Sequence, residues 1–139
     1  MDLQLIGHTA LVTGSTAGIG YAIAHALAAE GAHVTINGRT QAAVDKALAR
    51  LKSSLPDAHV KGIAADGSTA AGCKQMISAV GEVDILINNL GIFDPKPFES
   101  IPDADWTHFF ETNVMSGVRL SRAFLPGMKS RNRGRIIFI

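Results

Sequence analysis

Ten residues constrain this chain more than any others: Leu11-Val12-Thr13-Gly14-Ser15-Thr16-Ala17-Gly18-Ile19-Gly20. The apolar run that ends at Thr13 reads as a buried strand. A glycine-spaced turn follows, and an amphipathic run carrying Ile19, Ala22, Ile23, Ala26 and Leu27 opens at once. In that order, strand, turn and helix present free helix N-terminal amides, and the positive end of the helix dipole, to an anion. On this reading Gly14 makes the turn and Gly18 lets the backbone come close to a pyrophosphate. Gly20 lets the helix pack tightly on the strand.

The rest of the chain repeats the alternation. Strands are expected near residues 8–13, 33–37, 60–64, 83–87 and 135–139, and helices near 18–30, 41–54, 69–79 and 104–129. Gly31 stands where a helix-terminating glycine belongs. Val44, Leu48, Leu51 and Leu55 recur at helical spacing before Pro56 ends the element. Such a βαβα order predicts an α/β fold, a doubly wound parallel sheet with helices on both faces, in one domain over residues 1–139. In the last helix Trp106, Phe110, Val114, Gly117, Leu120 and Phe124 fall on one stripe, which reads mostly as core-facing, and Pro126 is expected to kink or end it.

Composition narrows the function classes. The net charge of +1 is spread along the chain, so neither nucleic acid nor an anionic membrane surface is an expected partner. Cys73 stands alone, and His8, His25, His33, His59 and His108 show no metal-ligand spacing, so no disulfide framework and no metal site are expected. The first residues lack the basic and apolar regions of a signal peptide, and no apolar run reaches the ~20 residues of a membrane span. A soluble cytoplasmic protein is the default expectation.

The spacing of Gly14, Gly18 and Gly20 is neither the G-x-G-x-x-G dinucleotide fingerprint nor a P-loop. With Thr13 in front, Thr-Gly-x-x-x-Gly-Ile-Gly resembles the short-chain dehydrogenase/reductase family, which binds NAD(H) or NADP(H). Further segments carry the resemblance. Asp84-Ile85-Leu86-Ile87-Asn88-Asn89-Leu90-Gly91 is similar to the family's Asn-Asn-Ala-Gly motif, which supports the central sheet and lies against the cofactor's ribose. Leu90 departs from the usual alanine and adds bulk beside the cofactor. Asp66 matches the aspartate that holds the adenine ring, although Gly67 replaces the usual Leu or Val, and an ordinary exposed loop aspartate reads the same way. Asn113 matches the helix asparagine that kinks its helix and holds a water in a proton relay; without the family context it reads as an exposed helical asparagine.

The resemblance implies a Rossmann-like sheet of order 3-2-1-4-5. It also implies cofactor contacts from Gly14, Ser15, Thr16, Gly18, Ile19, Gly20, Arg39, Asp66, Gly67, Asn89, Leu90 and Gly91, with Asn113 in the catalytic apparatus. After the second strand an NAD-type site needs a carboxylate for the ribose hydroxyls, but the position holds Gly38. Arg39 beside it offers a planar, permanent charge suited to a 2′-phosphate, so NADP(H) is favoured over NAD(H), unless Arg39 is only a solvated turn residue.

The family's chemistry is hydride transfer between nicotinamide and a carbonyl or alcohol, with a serine and Tyr-x-x-x-Lys handling the proton. The chain's one tyrosine is Tyr21, and His25 stands four residues on, so that motif is absent here. Gly134-Arg135-Ile136-Ile137-Phe138-Ile139 resembles the strand that leads to the serine. The expectation is therefore the cofactor-binding half of an NADP-dependent oxidoreductase acting on a small carbonyl or alcohol. The whole protein is expected to be a homo-oligomer, with part of the last helix in the interface, and these 139 residues alone to be inactive. A non-catalytic dinucleotide-binding module and a structural pairing protein are the alternatives.

Overall fold

The computed structural model describes residues 2–139. Five strands, β1 (Thr9–Val12), β2 (His33–Gly38), β3 (Val60–Ala64), β4 (Ile85–Asn88) and β5 (Arg135–Phe138), form one sheet of order β3-β2-β1-β4-β5. Every neighbouring pair is parallel, with Leu11 opposite both Thr35 and Leu86, and Leu86 opposite Ile136. The expected fold class and strand order are both found. The helices are α1 (Gly18–Ala29), α2 (Gln41–Ser54), α3 (Ala70–Val80), α4 (Asp103–Phe110) and α5 (Ser116–Ser130).

Alternation along the strands divides the core into two layers. Ala10, Val12, Val34, Ile36, Ile85 and Ile87 face Ala24 and Ala28 of α1 and Val44, Ala47 and Leu51 of α2. Leu11 and Leu86 point to the other face, against Cys73 and Met76 of α3 and Leu120, Phe124 and Met128 of α5. Local signals set the ends. Gly31 takes φ +84 just past α1, while the Thr40 and Thr69 hydroxyls accept from the Ala43 and Gly72 amides to cap α2 and α3.

At the lower end of the sheet Asp84 is a hub. Its carboxylate accepts from the Thr9 amide and hydroxyl (3.1 and 3.2 Å), from Arg133 Nε and Nη2 (3.1 and 3.2 Å) and from Arg131 Nη2 (3.5 Å). Burial works against the charge, but the Thr9 amide and the Arg133 guanidinium outweigh it and hold the carboxyl below its usual range.

The region expected as one helix over 104–129 differs in two respects. Between α4 and α5, Glu111–Met115 winds as a π turn, with the Ser116 amide donating to Glu111 O and Arg119 Nη2 bonded to Glu111 Oε2 at 2.6 Å across it. The wide turn adds one residue, so the two halves of the stripe lose phase. Gly117, Leu120 and Phe124 are buried, whereas Trp106, Phe110 and Val114 are exposed. The inward line in α4 lies one residue earlier, at the half-buried Asp105 and Phe109, and Thr112 of the π turn is buried. Pro126 does not end α5, which continues to Ser130. The proline is exposed, as is Arg122, whose carbonyl lacks the amide that proline cannot supply, while Phe124 and Met128 anchor the helix on either side.

Candidate functional site

The carboxyl ends of β1, β2, β3 and β4 meet around the turn between β1 and α1. Thr13, almost fully buried, donates its hydroxyl to Ile87 O (3.3 Å) and accepts from the Asn89 and Leu90 amides (3.0 and 2.9 Å). Ser15 Oγ donates to Val12 O (2.6 Å) and accepts from the Asn37 amide (2.9 Å), so this side chain is directed inward. Asn37 Oδ1 accepts from the Gly14 amide (3.2 Å), while its Nδ2 donates to Ala65 O (3.0 Å) and Ile63 O (3.2 Å). From the other flank Asn89 Nδ2 donates to Thr13 O and Gly14 O (3.1 and 3.0 Å). The turn is thus fixed from β2 and from β4 before any ligand arrives.

The glycines of this turn differ in what they are for. Gly14 and Gly18 take φ of +58 and +57, a region that disfavours side chains. A Cβ on Gly18 would meet nothing within 4 Å, so the backbone there is bare toward the outside. Gly20 is required by space, because a Cβ there would lie 2.5 Å from Gly14 O and Asn89 Nδ2. No side chain caps α1 behind Ala17, unlike α2 and α3, which leaves the first-turn amides open. Ile19, 65% exposed, and Thr16 flank this opening.

At the end of β2, Gly38 is buried and its φ is not left-handed; a Cβ would lie 2.5 Å from Thr16 Cγ2. The Thr16 methyl therefore occupies the space where a side chain at 38 would begin. Arg39 is exposed and forms no ion pair among the described residues. After β3, Asp66 Oδ1 accepts from the Ser68 hydroxyl (2.7 Å) and amide (3.0 Å). The Ser68 hydroxyl chiefly, helped by the Arg39 charge, holds this carboxyl below its ordinary value. Gly67 is buried under Leu90 and Met76.

The π turn places Asn113 over the segment that follows β4. Asn113 Oδ1 accepts from the Ile92 amide at 2.7 Å, and its Nδ2 donates to Ile92 O at 3.2 Å. Gly91 allows this approach, since a Cβ there would sit 2.9 Å from Asn113 Oδ1. Gly14, Thr16, Gly18, Ile19, Gly20, Arg39, Asp66, Gly67, Asn89, Leu90, Gly91 and Asn113 thus stand at one end of the sheet, with Ser15 beneath them. Tyr21 does not join them: it packs on the α1–α2 side of the core, with the Arg50 guanidinium 4.1 Å over its ring.

Two residues that organise the site, Thr13 and Asn37, are not among the expected cofactor contacts, although each carried a signal. Each is a polar residue closing an apolar strand, where a buried side chain has to find partners. Among the described residues no helix is long and apolar enough to cross a membrane, and no cluster of His, Cys, Asp or Glu could hold a metal. Open amides, an unpaired guanidinium and an acceptor carboxylate around a bare turn suit an anionic nucleotide.

Comparison with known proteins agrees. The short chain dehydrogenase family profile matches residues 8–139. Two oxidoreductases of Bacillus subtilis (strain 168) are similar over the whole chain: YvaG at 52% identity, covered over 53% of its length, and YvrD at 46%, likewise over 53%. The L-sorbose reductase of Gluconobacter frateurii, solved in complex with NADPH and L-sorbose, superposes with a TM-score of 0.90 at 36% identity, over 99% of this chain and 54% of that one. The chain spans about half the length of the curated relatives it matches.

Proposed function

Since this chain belongs to the short-chain dehydrogenase family, we propose that it forms the NADP(H)-binding half of an oxidoreductase acting on a small carbonyl or alcohol. When bound, the nicotinamide supplies or accepts hydride. The chain's own residues bind and orient. The turn from Gly14 to Gly20 and the open α1 amides would receive the pyrophosphate, Arg39 the 2′-phosphate, the free oxygen of Asp66 the adenine amino group, and Asn89 to Gly91 the ribose. One Oδ1 lone pair and one Nδ2 proton of Asn113 are engaged by Ile92, which leaves the others for a water in a proton relay.

The observation that carries the reading is the pairing of Arg39 with Gly38. An exposed guanidinium without a carboxylate partner stands beside a position whose side-chain space is filled by the Thr16 methyl. A carboxylate side chain at 38 would have to displace that methyl, whereas the exposed Arg39 guanidinium is open to a phosphate. The relative solved with NADPH supports the same choice. Calorimetric titration should give tighter binding of NADPH than of NADH; equal affinities would overturn the preference.

The serine and the Tyr-x-x-x-Lys of the family are not among these 139 residues, so they alone should not turn substrate over. Loss of a positioned acid or base typically costs about 10²–10⁴-fold. Carbonyl-dependent NADPH oxidation well above background by these residues alone would refute that. A homo-oligomer located in the cytoplasm belongs to the same proposal. Dinucleotide binding without turnover by the intact protein would instead favour a non-catalytic module.

A further inference from the structure

We infer that Leu90 is a positioning residue for the adenosine half of the dinucleotide, its side chain filling the space that Gly67 leaves open. The inference rests on the NADP(H) reading above. Gly67 is buried, but its φ lies outside the left-handed region, so its backbone does not require glycine. Space does. A Cβ at 67 would lie 2.8 Å from Leu90 Cδ2 and 3.1 Å from Met76 Cε.

The same leucine reaches the other way. Its Cα and Cδ1 are 3.2 and 3.6 Å from where a Cβ on Gly14 would be. The side chain therefore touches two turns at once: the one after β1, with its open amides, and the one after β3, which carries Asp66. Asn37 links the two turns through the Gly14 amide and Ala65 O, and Leu90 lies between them as well, its own backbone fixed by the 2.9 Å bond from its amide to Thr13 Oγ1. A ligand that spans from α1 to Asp66 meets a gap whose width this side chain sets. Shortening Leu90 leaves a void between the turns; adding bulk at 67 drives Leu90 toward the ligand.

The test is a compensation experiment on the intact protein with Leu90→Ala, Gly67→Val, the two together, and Leu90→Met. Thermal melting without cofactor reads the packing, and KM and kcat for NADPH read the positioning. Each disruptive single change is expected to lower the melting temperature by about 4 °C and to raise KM for NADPH roughly tenfold with kcat little changed. The double variant should recover much of both losses, and Leu90→Met should resemble the parent. Additive losses in melting temperature would show that the two residues do not share one space and overturn the inference. Compensation in melting with KM unmoved in all variants would overturn the positioning role alone. A parent protein that melts normally and binds no dinucleotide would overturn the NADP(H) reading and the positioning role with it, while the melting data still judged the packing.

Discussion

Asn113 holds the backbone of Ile92 by both of that residue's polar groups, accepting from its amide at 2.7 Å and donating to its carbonyl at 3.2 Å. The π turn makes this possible by carrying Asn113 outward, over the segment after β4. Asn113→Ala should therefore loosen residues 91–93 before it affects anything else. Each lost bond contributes about 1 kcal/mol, so exchange of the Ile92 amide should quicken roughly fivefold or more. Hydrogen exchange resolved to that segment reads this directly, and unchanged protection would assign the grip no weight.

Arg39→Ala should weaken NADPH binding by about 1.5–3 kcal/mol, roughly ten- to hundredfold, and leave NADH binding nearly unchanged. Gly38→Asp should fold only if the Thr16 methyl moves aside, so pairing it with Thr16→Ser should be better tolerated. That double variant should shift preference toward NADH, because a carboxylate at 38 repels a 2′-phosphate. Competitive titration of the two cofactors measures both outcomes.

Gly18 and Gly20 should fail differently. Alanine at 20 would press on Gly14 O and on Ser15 Cα, backbone atoms that cannot turn away. A cost of about 1–3 kcal/mol is expected, with dinucleotide binding lost as the turn shifts. Alanine at 18 meets open space and strains only the left-handed backbone, at about 1–2 kcal/mol. Its effect should fall more on affinity than on melting. Similar melting and binding profiles for the two variants would contradict this division.

Asp84→Asn should destabilise the protein by about 1.5–3 kcal/mol near neutral pH, since charged hydrogen bonds to Thr9 and Arg133 are weakened. The folded carboxyl is depressed, so its stabilisation is complete above the unfolded value near ~3.9 and disappears as the pH falls through the folded value. Denaturation curves of parent and variant should therefore converge in acid. A constant gap from pH 7 down to pH 2 would show that the charge of Asp84 contributes nothing.

β5 pairs only with β4 in this sheet, and Ile137, Phe138 and Ile139 are 45, 57 and 64% exposed. A polypeptide of these 139 residues should self-associate through that strand and bind hydrophobic dyes strongly. Light scattering and dye fluorescence check this; a monodisperse 14.6 kDa monomer with a cooperative melt would disprove it.

Much of the fold could be read from spacing. β3 and α2 fall at 60–64 and 41–54 as expected, because Val44, Leu48 and Leu51 keep helical phase and Pro56 gives an unambiguous stop. The region around 104–129 was harder, since an apolar period of 3.6 cannot announce a turn that holds one more residue. Asp84 was expected inside a strand from 83 to 87, whereas β4 begins at Ile85 and Asp84 ties its start to Thr9 and Arg133. Those partners lie far away in sequence. Gly67 and Leu90 each looked like a separate departure from the family's pattern. Their contact joins residues on different turns, and it becomes visible only once the sheet brings those turns together.

A helix that holds one extra residue is also one that can lose it. Removing a single residue between Glu111 and Met115 would let α4 and α5 fuse into an uninterrupted helix with the phase on both sides of the join unchanged. Trp106 and Phe110 would stay on the outer face, while Asn113 would lose the wide turn that carries it over Ile92. The exposed aromatic face of α4 would thus survive such a loss, and the grip on the segment after β4 would not.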